Sequence, residues 1–231
     1  MFLHIPQLLD AAALQSIGSI LHNAAPQDAW TDGRVTSGTQ SAEVKNNQQM
    51  PEQGVATQQA RVVIMQALER NPDFLAGTLP KRVYPPGFNR YSGQTNAFGT
   101  HIDNAMRRIP GSAEYVRTDI SCTVFLSNPQ DYEGGELVIA NAAGQNQVKL
   151  AAGDAYLYPA TTLHHVNPVT KGARVACFFW VQSFVPRADQ RQLLYDLDVS
   201  IMRLRKLHGE TPEAIALTGT YHNLLRMWTQ V

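Results

Sequence analysis

Apolar residues recur at helical spacing near both ends of this chain and in short, β-rich runs across its middle. Over 10–22, Leu14, Ile17, Ile20 and Leu21 fall on one helical face, with Asp10 placed to cap the N-terminus. Residues 31–55 are polar, with Gly33, Gly38 and the stretch Asn46-Asn47-Gln48-Gln49, and predict a short strand and loops. A second helix is predicted over 56–70, with Ala60, Val63, Ile64, Ala67 and Leu68 on one face.

From Lys81 the punctuation changes. Pro85-Pro86-Gly87, Ser92-Gly93, Asn128-Pro129, Gly134-Gly135, Ala143-Gly144, Gly153-Asp154 and Lys171-Gly172 are turn signals. Between them lie Phe88–Tyr91, Tyr115–Leu126, Glu136–Ala140, Gln147–Leu150, Ala155–Tyr158 and Arg174–Val181. Many short strands at this spacing predict a sandwich or jelly-roll barrel. A parallel α/β sheet would need helical crossovers for which this stretch has no room.

After Pro186 the pattern is helical again. Leu193, Leu194, Leu197, Ile201, Leu204 and Leu207 form a stripe that Gly209 ends, and Thr211-Pro212-Glu213 reads as the start of a further helix. A last helix is expected over Tyr221–Thr229. The stripe is a packing surface, against the barrel or against a second copy in a homo-oligomer. The fold class is therefore mainly β with flanking helices. N-terminal helices and connecting strands (1–80) support a β core (81–185), followed by a C-terminal helical extension (186–231).

Composition narrows the partners. With 231 residues the chain is long enough to bury a sizeable core. Nineteen basic residues balance nineteen acidic ones, which gives no reason to expect nucleic acid or an anionic membrane as partner. The start, Met1-Phe2-Leu3-His4-Ile5-Pro6, has no basic n-region, and no apolar run approaches a membrane span, so a cytoplasmic protein is expected. Cys122 and Cys177 sit in apolar runs and are expected to be buried and reduced.

The chemistry lies in His101-Ile102-Asp103, His164 and Arg174. Two histidines and a carboxylate are the donor set of a non-heme Fe(II) oxygenase. On a strand, His101 and Asp103 share a face while Ile102 points away. His165 competes with His164 for the third position, and strand alternation alone does not choose between them. Arg174 offers a planar cation for the far carboxylate of a bidentate 2-oxoacid. Tyr91 offers a phenol to the same carboxylate, or is an ordinary packed aromatic. Phe178 and Trp180 share the parity of Arg174 and are read mainly as core. The loop 104–116, with Arg107 and Arg108, is expected to border the entrance. Each residue alone has a plainer reading: a surface or structural histidine, a turn-capping aspartate, an arginine pairing at a sheet edge.

A family resemblance covers nearly the whole chain. It runs through Phe88-Asn89-Arg90-Tyr91, His101-Ile102-Asp103-Asn104, Arg117-Thr118-Asp119-Ile120-Ser121 and Tyr132-Glu133-Gly134-Gly135-Glu136-Leu137. It continues through Tyr158-Pro159, Leu163-His164-His165-Val166, Pro168 to Arg174, Phe179 to Ser183, Asp196-Leu197-Asp198 and Thr218 to Leu225. In these motifs the sequence resembles the bacterial PKHD-type hydroxylases, a branch of the Fe(II)/2-oxoglutarate oxygenases related to prolyl 4-hydroxylases. The resemblance implies a double-stranded β-helix, Fe(II) as metal, 2-oxoglutarate as co-substrate and ascorbate as reductant. It puts the third metal ligand on His164, the 2-oxoglutarate arginine on Arg174 and a co-substrate tyrosine on Tyr91. A second tyrosine of the relatives falls on Phe125, which lacks the hydroxyl. It also implies a link to iron or siderophore uptake. The prime substrate, a small molecule or a peptidyl group, is left open. Two other classes compete: a non-catalytic jelly-roll binding module, and a zinc hydrolase using the same ligands.

Overall fold

The computed structural model describes residues 1–36, 39–141 and 144–231; Gly38 and Ala143, read above among the turn and loop signals, lie outside them. The strands are β1 (Leu3–Ile5), β2 (Thr31–Asp32), β3 (Lys45–Asn46), β4 (Gln48–Gln49), β5 (Pro80–Val83), β6 (Gly87–Ser92), β7 (Ala97–His101) and β8 (Met106–Arg108). There follow β9 (Tyr115–Arg117), β10 (Ile120–Phe125), β11 (Tyr132–Gly134), β12 (Leu137–Asn141), β13 (Gly144–Val148), β14 (Ala155–Pro159), β15 (His164–Val166) and β16 (Val169–Ser183). The α-helices are α1 (Ala11–His22), α2 (Thr39–Val44), α3 (Val55–Arg70), α4 (Pro72–Thr78), α5 (Ala188–His208) and α6 (Pro212–Trp228).

Among the described residues, two antiparallel sheets dominate. The larger runs β1-β14-β10-β16-β6-β4-β2, with β11 and β5 also paired to β16; the smaller runs β13-β12-β15-β7-β3. β8 and β9 form a separate two-stranded ribbon. This is the mainly β jelly roll with flanking helices that the turn spacing predicts. No described helix is long and apolar enough to cross a membrane.

The large sheet is buried on both faces, and its alternation assigns each face a task. From β10, Ile120, Cys122 and Val124, and from β16, Cys177, Phe179 and Val181, enter the main core with Ile17 and Leu21 of α1 and Ala60, Ile64 and Leu68 of α3. Burying each such large apolar side chain contributes about 1.5–3 kcal/mol. The opposite face carries Ser121, Thr123, Arg174, Phe178 and Trp180 into a cavity. A one-residue slip would exchange core and cavity faces, so the helices on one side hold the register of the site on the other. Cys122 and Cys177 are free and buried.

Local signals explain the ends of the elements. The Asp10 carboxylate accepts from the Ala13 N–H at the start of α1. The Gly134-Gly135 turn requires glycine: both have positive φ, and a Cβ at Gly134 would lie 2.1 Å from the Pro168 carbonyl oxygen. Gly209 ends α5 and the Thr211 hydroxyl accepts from Ala214 N–H at the head of α6. The helix expected over Tyr221–Thr229 is the second half of α6, which runs unbroken from Pro212 and tolerates Gly219 within it. The short β1, β5, β8 and β11 lie outside the predicted runs; pieces of three or four residues are too short to show a period.

α5 is tied back to the barrel by Arg191, which is 2% exposed and donates through one Nη to the carbonyls of Val185 and Pro186, each at 2.7 Å. Beyond α6, the Gln230 N–H donates to the Phe184 carbonyl.

Candidate active site

His101 is the last residue of β7, and His164 the first of β15; the two are paired in register, with ring centroids 4.2 Å apart. Asp103 lies just past the end of β7, so the two-residue spacing acts through a strand end followed by irregular chain rather than along one continuous strand. Ile102, between them, is 44% exposed and lies at the rim of the same cavity. Donor atoms of His101, Asp103 and His164 lie within 4.8 Å of one another, and His164 Nε2 is 3.8 Å from Asp103 Oδ2.

The surroundings fix how these side chains present themselves. His101 Nδ1 is 2.8 Å from the Gly99 carbonyl, and His164 Nδ1 is 2.9 Å from the Thr162 carbonyl. A carbonyl only accepts, so each Nδ1 carries the proton and each Nε2 keeps its lone pair for the cluster. Burial, followed by the charge of His164, lowers His101 to about 4, which keeps it neutral near pH 7. The Ser121 hydroxyl donates to Asp103 Oδ2. Phe98 stacks on His101 with centroids 3.7 Å apart, and Tyr158 meets His164 edge-on at 5.0 Å. Two imidazoles and one carboxylate, oriented from behind, fit a divalent metal with open positions. His165 is held elsewhere: its Nε2 is 3.2 Å from Asn167 Oδ1.

Arg174 occupies the same cavity on the opposite sheet. It is 2% exposed, its Nε has no hydrogen-bond partner, and no carboxylate pairs with it among the described residues. Its guanidinium lies 5.3 Å from the ring centroids of both Tyr91 and Phe125. Tyr91 is its register partner on β6 and is 1% exposed; burial raises its pKa and keeps the phenol protonated. A buried cation without an anion costs several kcal/mol, so this geometry calls for an anionic ligand. Phe125, where the resemblance leaves no hydroxyl, packs in a buried cluster with Tyr91 and Tyr132.

The cavity also holds residues to which sequence reading gave no role: Lys45, Asn47, Gln49 and Asn89 from the N-terminal half, with Ser121 and Tyr158. Lys45 is 6% exposed, and burial reinforced by the charge of Arg107 lowers it to about 7. For Lys45, Asn47 and Gln49 the only hint was the polarity of 45–49, whereas Asn89, Ser121 and Tyr158 lie in the family motifs. Phe178 and Trp180, read mainly as core, do pack with Tyr84, Val116 and Ala160, and they also line the cavity. Arg107 and Arg108 both border the outer groove, as the loop reading expected, and Arg108 Nε also donates to the Ser112 carbonyl.

Fold and cavity define a class. Residues 86–182 match the 2OG-Fe(II) oxygenase superfamily, and residues 189–230 match the PKHD-type hydroxylase C-terminal domain. A PKHD-type hydroxylase of Verminephrobacter eiseniae is 51% identical over 228 residues, covering 99% of both chains. One of Nitrosomonas eutropha is 50% identical over 230 residues, covering 100% of both. The chain belongs to the PKHD-type hydroxylase family, and it is an oxygenase of the Fe(II)/2-oxoglutarate type. Among solved structures, a Pseudomonas putida prolyl-4-hydroxylase superposes with a TM-score of 0.53 at 19% identity, over 79% of this chain and 92% of that one. A Trichoplax adhaerens prolyl hydroxylase in complex with a peptide fragment gives 0.56 at 16% identity, over 84% and 86%. At those identities the likeness is one of fold.

Proposed function

We propose that His101, Asp103 and His164 hold one Fe(II), and that Arg174 with Tyr91 holds the far carboxylate of 2-oxoglutarate. The observation that carries this reading is the pairing, in one cavity, of a three-donor cluster with a buried arginine whose Nε is unpartnered. When bound, iron and 2-oxoglutarate supply an oxidative decarboxylation, giving succinate and CO₂, coupled to hydroxylation of a substrate C–H bond. The protein's own groups supply orientation. Gly99 and Thr162 carbonyls set the imidazole tautomers, Ser121 holds the carboxylate, and the Tyr91 phenol donates beside the Arg174 fork.

The same reading assigns the β core, 81–185, to the chemistry, with 1–80 and 186–231 as support. It includes ascorbate as the reductant that keeps iron as Fe(II), and a role near iron or siderophore uptake; both rest on the family resemblance. A cytoplasmic location accords with two buried cysteines that remain free.

The test is anaerobic titration of purified protein with Fe(II) and 2-oxoglutarate, followed by measurement of succinate on admitting O₂. One iron per chain, with succinate formation that depends on it, is expected. Zinc-dependent hydrolysis without consumption of 2-oxoglutarate, or metal binding without turnover, would sink the reading in favour of a hydrolase or a binding module.

A further inference from the structure

Arg107 is the second cation of this cavity that lacks an anion. Its guanidinium sits 4.2 Å from the Trp180 ring centroid and 5.0 Å from that of Tyr84, so two aromatic faces hold it in place. Its Nε is buried without a hydrogen-bond partner, and no carboxylate pairs with it among the described residues. Arg107 and Asn104 line both the inner chamber and an outer groove bordered by Thr31, Met50, Glu52 and Met106. The chamber is the smaller, about 90 Å³ against about 580 Å³ for the groove.

Arg107 and Arg174 serve different ends of the space. Trp180, on which Arg107 rests, and Arg174 lie on the same face of β16, six residues apart. At about 3.3 Å per residue their backbone positions are roughly 20 Å apart along the strand. Charge points the same way. Arg107 and Arg174 face a single carboxylate, Asp103, in the chamber lining. A divalent metal and a doubly charged co-substrate cancel each other, so the loaded chamber keeps an excess of positive charge.

We propose that the prime substrate is a carboxylate-bearing small molecule, whose carboxylate is held by Arg107 at the chamber mouth while its reacting carbon reaches inward toward the metal cluster. The aromatic faces desolvate the guanidinium and hold its plane, leaving the N–H edge for two parallel bonds. Asn47 and Asn89, which carry buried amide atoms without partners, offer hydrogen bonds to polar groups on the part that enters. The outer groove accommodates the remainder. This inference rests on the oxygenase reading, and the experiment separates the two.

Protein loaded anaerobically with Fe(II) and 2-oxoglutarate is titrated with benzoate and hexanoate and with the matching amides, benzamide and hexanamide. Binding is followed by calorimetry and ligand-observed NMR, with retention of 2-oxoglutarate monitored throughout. At least one carboxylate should bind while 2-oxoglutarate stays in place, and its amide should bind at least about tenfold more weakly, as loss of a charge-assisted bond requires. Arg107→Met should abolish the preference and Arg107→Lys restore part of it, with Fe(II) and 2-oxoglutarate affinities reporting that both variants are folded. Equal binding of acid and amide, no binding of either carboxylate, or an unchanged preference in Arg107→Met would overturn the inference. Failure of the wild type to take up Fe(II) and 2-oxoglutarate would instead overturn the oxygenase reading beneath it.

Discussion

His101 and His164 stand opposite each other across β7 and β15, with both imidazole Nδ1–H groups turned outward to backbone carbonyls. Strand pairing, rather than a local motif, therefore brings the two Nε2 atoms together. Replacing either histidine by alanine should abolish stoichiometric Fe(II) binding and succinate formation. His165→Ala should preserve both, because that ring points toward Asn167. Metal analysis with a succinate assay decides it; normal turnover in His164→Ala would refute the ligand set.

Arg174→Ala should weaken 2-oxoglutarate binding by roughly 3–5 kcal/mol, more than a hundredfold, because the co-substrate carboxylate would be left buried without its counter-charge. Fe(II) affinity should change little, since the guanidinium belongs to the opposite sheet. Separate titrations of metal and co-substrate distinguish these effects.

Ser121→Ala removes the hydroxyl that donates to Asp103 Oδ2. Loss of a group that orients a ligand typically lowers metal affinity or activity about 10–100-fold. Ser121→Thr, which keeps the hydroxyl, should recover much of it. Unchanged metal affinity and turnover in the alanine variant would show that the carboxylate needs no such support.

Lys45 makes stability depend on alkaline pH. Its folded pKa is lowered to about 7 from an ordinary value of 10.5, chiefly by burial. Between those values the unfolded chain holds more protons, so wild-type stability should rise with pH across that window. Below about pH 7 both states are charged and the cost is constant. Lys45→Met should therefore be more stable than wild type at pH 7, by on the order of 3 kcal/mol, and the gap should narrow toward pH 10. Denaturant unfolding of both proteins at the two pH values tests this.

Arg191→Ala should destabilise the protein by about 2–4 kcal/mol, since a buried charged donor to two carbonyls is lost. The affinities for Fe(II) and 2-oxoglutarate should stay at wild-type values at temperatures where the variant is folded. A folded variant that binds neither would mean that the C-terminal helices contribute to the site itself.

The sequence by itself determined whatever depends on near neighbours. Period-3.6 stripes marked α1, α3 and α5, the residues Asp10, Gly209 and Thr211 marked their ends, and β-rich runs between turn signals marked β6, β10, β12, β14 and β16. It also picked out His101, Asp103, Arg174 and Tyr91 as candidates by donor type and spacing, while the choice of His164 over His165 came from the family resemblance. Tertiary structure decided what depends on distant segments meeting. Nothing local says that Asn47 and Gln49 face the same cavity as Arg174, because that follows from β4 pairing with β6 and β6 with β16. Nor could parity alone show that Trp180, packed with Tyr84 and Val116, also lines the cavity and supports Arg107. Alternation fixes which face a side chain takes, but whether that face is filled or open depends on how far the other sheet and the β8–β9 ribbon reach across it.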